Sequence, residues 1–316
     1  MMKKINDIIG DAKTIGIAGH VRPDGDCMGS CMSLYNYLKK NRPDLDVRVF
    51  LEFVDKKFNI IENTDQIITT GYDGTKFDLF ISLDTASLDR LGLNLPFYEN
   101  AKRTACIDHH ASNDGYADYN YILPKASSAS EVLYDLLDED LIDKSIAEPM
   151  YMGIAHDSGV FRFQSTTPKT MRIAANMIEK GINVNMILEE TFFRKTYNQM
   201  MVTAKIQSEA VLALDGKCIY GYCTSEMMEE YGVTTKDLDA VVASIRNVDG
   251  VEVAMFLYQL SEDSYKVSLR SKNYVDVSKI AVENGGGGHV RAAGAEIHGE
   301  LNDIINKLLN RIKQDI

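Results

Sequence analysis

The sequence predicts an α/β protein: an N-terminal doubly wound parallel sheet, joined by a helical connector to a smaller C-terminal α/β domain with a mixed sheet. Three observations predict it. Apolar runs of strand length alternate with helically spaced stretches in the first half. Four segments there place acids or histidines after such runs: His20-Val-Arg-Pro-Asp24-Gly-Asp26, Asp84, Asp108-His109-His110 and His156-Asp157. In the second half, two strand-like runs flank Ser261-Glu-Asp-Ser264, a hairpin signature. At 316 residues the chain suits two domains, set at 1–190 and 200–316 with 191–199 connecting them.

Thr14-Ile-Gly-Ile-Ala-Gly19 reads as the first strand, and Ser30 to Lys39 has helical spacing. Val47–Leu51, Phe77–Leu83 and Arg103–Ile107 are the next strands, the last two delivering Asp84 and Asp108-His109-His110. Ser128-Ala-Ser-Glu131 resembles a capping box opening a helix. Pro149–Ala155 is a helix presenting Asp157, and Thr167–Lys180 is an amphipathic helix closed by Gly181. Beyond the connector come a helix from Gln199 to Leu212, a strand Lys217–Tyr222, a helix Thr235–Ile245, strands Val251–Gln259 and Tyr265–Arg270, and a final helix Asn302–Lys313.

If the first strands lie side by side in parallel, their carboxyl ends converge on one crevice, where open α/β sheets keep their sites. Asp24, Asp26, Asp84 and Asp157 crowded there would repel one another by several kcal/mol per pair, at roughly 4 Å and an effective dielectric near 20. Two divalent ions would balance the four carboxylates, with His20 and His109 as neutral imidazole donors. Oxygen and nitrogen donors without a thiolate pattern favour Mn²⁺, with Mg²⁺, Co²⁺ or Fe²⁺ as alternatives, over zinc. Taken singly, each acid reads equally as a helix cap; it is the ordered set of four that argues for metal.

Composition narrows the partners. A net charge of −12 and no basic stripe argue against long duplex DNA, because phosphate neutralisation supplies most non-specific affinity. A phosphate substrate should therefore be small or short. No leader or membrane-spanning stretch is read, so a cytoplasmic protein is expected. The five cysteines, Cys27, Cys31, Cys106, Cys218 and Cys223, read as reduced core thiols without a function. Gly285-Gly-Gly-Gly288-His289, followed by Arg291, suggests successive backbone N–H groups lining an anion-binding concavity.

His20-x-x-x-Asp24-Gly-Asp26, Asp84, Asp108-His109-His110 and Asp157, in that order, resemble the four motifs of the DHH phosphoesterase superfamily. Gly285-Gly-Gly-Gly-His289 with Arg291-Ala-Ala-Gly294 resembles the signature of the DHH-associated domain. The length is similar to that of the bifunctional oligoribonucleases, or nanoRNases, that also remove the 3′-phosphate from adenosine 3′,5′-bisphosphate (pAp). The resemblance implies that His20, Asp24 and Asp84 hold one metal and that Asp26, Asp84, His109 and Asp157 hold the other. Asp84 would bridge, Asp108 would orient an imidazole, and His110 would face the scissile phosphate. Arg270, Gly286, Gly287, Gly288 and His289 would grip the rest of the nucleotide, with Arg246 as a helper. A homodimer is also implied. Arg22, Cys27-Met28, Val290 and His156-Asp157-Ser158 depart from the pattern without removing a ligand, although His156 offers an alternative donor.

The expected reaction is hydrolysis by a metal-bridging hydroxide, cleaving short oligoribonucleotides of 2–5 nucleotides, linear dinucleotides such as pApA, and pAp. Two alternatives stand beside it. One is another DHH hydrolase of small phosphate compounds, such as a pyrophosphatase; the other is a catalytically inactive nucleotide-binding regulator.

Overall fold

Five strands build the first sheet: β1 (Thr14–Ala18), β2 (Asp46–Phe50), β3 (Leu79–Leu83), β4 (Thr104–Asp108) and β5 (Tyr119–Ile122). The computed structural model describes residues 4–238 and 241–316, which divide into two compact units, Met1–Arg194 and Lys195–Ile316. The helices of the first unit are α1 (Ile5–Ile9), α2 (Gly25–Asn41), α3 (Leu95–Glu99), α4 (Ala129–Leu136), α5 (Lys144–Asp157), α6 (Pro168–Glu179) and α7 (Val184–Leu188).

The strand order is β2-β1-β3-β4-β5, and every pairing is parallel. β3 shows why the sheet is covered on both faces. Leu79, Ile81 and Leu83 join Met28, Cys31, Leu133 and Met150 from the helices on one side, while Phe80 joins Phe50, Phe77 and Phe97 on the other. A strand buried on both faces reads as a continuous apolar run. The order reverses between β1 and β3, and there the carboxyl ends of the strands open a crevice.

Close packing of α2 on α5 depends on two glycines. A β-carbon on Gly29 of α2 would stand 2.5 Å from the Pro149 carbonyl oxygen of α5, and one on Gly153 of α5 would stand 2.8 Å from Asp26 Oδ1 of α2. The two helices thus bring Asp26 and Asp157 towards the same place. At the start of α4, Ser128 Oγ accepts the Glu131 N–H at 3.0 Å, one half of the expected capping box. The other half is redirected: the buried Glu131 carboxylate accepts from Ser127 Oγ and Thr170 Oγ1, each at 2.7 Å, tying α4 to α6. Thr167 caps α6, and Gly181 follows it with a φ of +82°.

The second unit contains α8 (Tyr197–Ser208), β6 (Val211–Ala213), β7 (Cys218–Cys223), α9 (Ser225–Tyr231), α10 (Val241–Ile245), β8 (Val253–Ser261), β9 (Ser264–Ser271), α11 (Val277–Val282), β10 (Gly287–His289), β11 (Ala292–His298) and α12 (Leu301–Ile312). Its sheet runs β10-β11-β9-β8-β7-β6 and is mixed, with β7 and β8 parallel and the other pairs antiparallel. Ser261 pairs with Ser264, closing the expected hairpin. One face buries Val202, Ile206, Val241, Ile245 and Phe256; the other buries Leu257, Val267, Ile280, Ile305 and Leu308.

Three expectations need correction here. The helix read as Gln199–Leu212 ends at Ser208, because Val211–Ala213 pairs with β7. The helix read as Thr235–Ile245 is a 3₁₀ turn at Thr235–Asp237 followed by α10, and its residues 239 and 240 lie outside the described residues. The glycine run is not a backbone concavity but a strand, since Gly287–His289 pairs antiparallel with Ala292–Gly294. Glycine and alanine carry little strand propensity, so β10 is invisible to pattern reading and β11 nearly so.

Candidate metal centre

His20 follows β1 and Asp84 follows β3, so the two neighbouring strands at the reversal point deliver them to the crevice. Asp24 begins α2, its Oδ1 accepting the N–H groups of Asp26 and Cys27 at 3.0 and 3.1 Å. It is a helix cap, and it also stands beside His20. His20, Asp24 and Asp84 each bring a donor atom within 4.8 Å of the others; Asp26, His109 and Asp157 form a second such group, and Asp84, Asp108, His109 and His110 a third.

Asp84 links these groups. Its Oδ2 lies 3.4 Å from His20 Nε2, and its Oδ1 lies 3.5 Å from His109 Nε2. Its backbone φ is +52°, a left-handed conformation that non-glycine residues avoid and that collects at functional sites. Tertiary bonds hold the chain there: the Asp84 N–H donates to the Ile107 carbonyl at 3.1 Å. The next residue's carbonyl, on Thr85, accepts from Asn113 Nδ2 at 3.1 Å and from Tyr116 Oη at 2.8 Å.

Each histidine has a defined orientation. His20 Nδ1 lies 2.8 Å from the Val21 carbonyl and 3.3 Å from Arg90 Nη2, which turns Nε2 towards Asp84. His109 Nε2 is also 3.2 Å from Asp157 Oδ2. Asp108 is fully buried; its Oδ1 lies 2.7 Å from His110 Nδ1, and its Oδ2 accepts from Asn113 Nδ2 at 2.6 Å. Asp108 therefore orients His110 rather than His109. Asp26 is held from behind by the start of α4, its oxygens accepting the Ala129 and Ser130 N–H groups at 2.6 and 3.0 Å.

The electrostatics register a surplus of negative charge. Burial would lower the His20 pKa, yet Cys27, Asp24 and Asp84 together push it up to about 12. Burial likewise opposes protonation of His109, but Asp84 and Asp157 push it up to about 10. Burial and then the Asp84 charge push Asp26 up to about 7, while burial and Asp26 raise Asp157 well above the carboxylate range. Asp84 is held low despite its burial, by its bonds to His109 and His20. Carboxylates and imidazoles that gather protons in this way make a donor set suited to divalent cations, which displace those protons on binding.

The chain also resembles known proteins along most of its length. The N-terminal domain of the DHH family matches residues 14–154, and the DHHA1 domain matches residues 215–315. A bifunctional oligoribonuclease and PAP phosphatase NrnA of Thermus thermophilus is 31% identical over 313 residues, covering 96% of this chain and 90% of the relative. This chain belongs to the NrnA-like branch of the DHH family. The NrnA protein of Bacillus subtilis is 28% identical over 290 residues, 90% of either chain. An exopolyphosphatase-related protein from Bacteroides fragilis shares the fold, with a TM-score of 0.89 over 98% of this chain and 95% of that one at 23% identity. Membership makes the chain a hydrolase of the phosphoesterase kind.

In the DHHA1 domain, Arg270 and His289 fall on one side of the sheet. His289 pairs with Ala292, Ala292 with Arg270, and Arg270 with Ala254, so these four form a cross-strand row on a common face. Arg270 and His289 stand two strand spacings apart, about 10 Å. Arg246 follows α10, whose Val241, Val242 and Ile245 pack in the same cluster as Ala254. Gly286 and Gly288 are needed for close approach: β-carbons there would lie 2.1 Å from the Gly294 carbonyl and 2.5 Å from the Ala292 carbonyl. Arg291 is occupied otherwise, donating to the Asn273 and Val275 carbonyls of the neighbouring turn.

His156 does not join the donor groups. Its Nε2 lies 2.9 Å from Thr191 Oγ1, and its ring packs between Phe58 and Phe192. All five cysteines are buried and free of disulfides, and neither Cys27 nor Cys31 enters a metal-capable group among the described residues. Among those residues no helix is long and apolar enough to cross a membrane. Asn113 and Gly153 escaped the sequence reading, and Ser130 entered it only as part of a helix start, because each acts on a partner that only the fold brings near.

Proposed function

We propose that this protein is a metal-dependent phosphoesterase that removes the 3′-phosphate from pAp and hydrolyses short oligoribonucleotides, linear dinucleotides such as pApA included, to mononucleotides. The division of the Asp84 oxygens between His20 and His109 carries the proposal, because it is the arrangement a carboxylate needs to serve two ions at once. The names of the NrnA relatives supply the substrate class.

In this reading His20, Asp24 and Asp84 hold one divalent ion, and Asp26, Asp84, His109 and Asp157 hold the other, with Mn²⁺ the preferred metal. Such ions supply an acidified water and Lewis-acid polarisation of a phosphoryl oxygen. The chain's own groups do the rest. Asp108 fixes the His110 ring by accepting from Nδ1, and with a second proton on Nε2, the imidazolium form, the ring would donate to a non-bridging phosphate oxygen, a role commonly worth about 3 kcal/mol. Arg246, Arg270, Gly286, Gly287, Gly288 and His289 bind the remainder of the nucleotide. With a net charge of −12, the protein is matched to short substrates rather than long polyanions. It acts in the cytoplasm as a homodimer, a state that light scattering measures directly.

The deciding experiment is Mn²⁺-supported hydrolysis of pAp and pApA by the wild type and by the Asp84→Ala and His289→Ala variants. Turnover abolished by the first change and weakened by the second supports the reading, and the ratio of rates names the main substrate. Tight binding of both compounds with no turnover would sink it in favour of a nucleotide-binding regulator.

A further inference from the structure

Beyond Asp157, at the end of α5, the backbone makes a turn that L-residues avoid. Gly159, Val160 and Phe161 take successive φ values of +59°, +55° and +62°, and a β-branched residue such as Val160 is an outlier in that region. The surrounding bonds enforce it. The Val160 N–H donates to the Ala155 carbonyl at 2.7 Å, and the Arg162 and Phe163 N–H groups both donate to the Ser158 carbonyl at 3.0 Å. The Phe161 N–H donates to Ser158 Oγ at 3.0 Å, and Ser158 is fully buried.

This turn sorts the side chains that follow. Phe161 packs inward on Tyr151, with ring centroids 5.8 Å apart. Phe163 instead folds back over Gly159, so closely that a β-carbon there would stand 2.5 Å from the ring. The ring is thus backed by glycine, two positions beyond Asp157, and remains 44% exposed. Arg162 beside it is exposed, and its guanidinium makes no hydrogen bond or ion pair among the described residues. An aromatic ring held from behind with an open face, next to a free cation and a phosphoesterase centre, has the chemistry that recognises a nucleotide: a π-face for the base and a guanidinium for its phosphate.

We propose that Phe163 is a stacking platform for the substrate's nucleobase, set beside the metal centre by the left-handed turn, with Arg162 meeting a phosphate oxygen of the same nucleotide. The assignment rests on the reading of the centre as one that acts on nucleotides. It gives the N-terminal unit its own base-binding contact, separate from Arg270 and His289.

The chain contains no tryptophan, so Phe163→Trp introduces a single reporter. With Mg²⁺ present, adenosine monophosphate should quench its fluorescence saturably while ribose 5-phosphate should not. Equal responses to the two, or none to either, would overturn the platform. This readout needs no turnover: quenching in the variant alongside a wild type that hydrolyses neither pAp nor pApA would remove the phosphoesterase reading alone. Conversely, an active wild type with no quenching would remove the platform alone. In parallel, Phe163→Ala should raise KM for pAp about tenfold to a hundredfold, the range one base–aromatic stack commands, with the smaller effect on kcat. Phe163→Tyr should restore KM, and a loss confined to kcat would count against stacking.

Discussion

Gly153 of α5 reserves the space that Asp26 of α2 fills: a β-carbon at 153 would stand 2.8 Å from Asp26 Oδ1 and 2.1 Å from Ser130 Oγ. Asp26 is wedged between that bare backbone and the start of α4, so overpacking at 153 is transmitted directly to a donor atom. Gly153→Ala should cost about 1–3 kcal/mol of stability and weaken metal binding at least tenfold. Thermal melts with and without metal, together with calorimetric titration of Mn²⁺, measure the two effects. Unchanged metal affinity would show that Asp26 tolerates displacement.

Asp84 is shared, so removing its charge should damage both halves of the centre. Asp84→Asn keeps the shape but leaves His20 and His109 without their common carboxylate. On the proposed two-ion reading, activity should fall by about a thousandfold or more, and bound metal, counted by elemental analysis, should drop by both ions together. Loss of one ion with retention of the other would argue that Asp84 serves a single ion.

The metal-free protein should lose stability as the pH rises. His109, raised to about 10 by Asp84 and Asp157 against its burial, stabilises the fold fully below its unfolded value of 6.5 and loses that contribution as pH approaches 10. Asp26 acts in the same direction at lower pH. Burial and Asp84 raise it from 3.8 to about 7, so the folded state holds that proton more tightly and stability declines across that window. Buried His156, lowered to about 4, opposes Asp26 below pH 6.5, so melting temperature without metal should fall most clearly between about pH 6.5 and pH 10, and added Mn²⁺ should restore more of it as pH rises, because metal competes with these protons. A flat profile in the absence of metal would contradict the charge surplus.

Asn113 should matter to chemistry more than to metal binding. It donates to the buried Asp108 at 2.6 Å, and Asp108 in turn fixes His110. Asn113→Ala leaves a buried carboxylate short of a donor, at a cost of about 1–3 kcal/mol. It should lower kcat about tenfold to a hundredfold with the smaller change in Mn²⁺ affinity. An effect on metal affinity alone would reassign Asp108 to the metal ligands.

Arg270 and His289 should act on binding. Arg270→Ala and His289→Ala should each raise KM for pAp about tenfold or more, the worth of a hydrogen bond to a charged group, with kcat affected less. A kcat effect equal to that on kcat/KM would place them at the reacting phosphate instead.

Much of this molecule is legible before folding. The apolar runs ending at His20, Asp84 and Asp108 announce strands, since an alternation of buried strands and helices leaves few other architectures, and the ordered acids and histidines announce a cation site. What escaped was encoded weakly or held at a distance. Tyr119–Ile122 is a half-buried four-residue edge strand without a clear period, and Gly287–His289 has almost no side-chain signal. Ser128-Ala-Ser-Glu131 was readable as a helix start, but not that its N–H groups would receive Asp26.

Hydrophobic period and residue chemistry are local properties, so the fold class and the inventory of donors could be read along the chain. Which donor faces which is a matter of packing. The strand order sets His20 beside Asp84, two glycines let α2 approach α5, and a network of buried hydrogen bonds holds Asp84 in a backbone conformation its own preference opposes. Those are relations between residues far apart in the chain, and their energies exist only once packing brings the partners together.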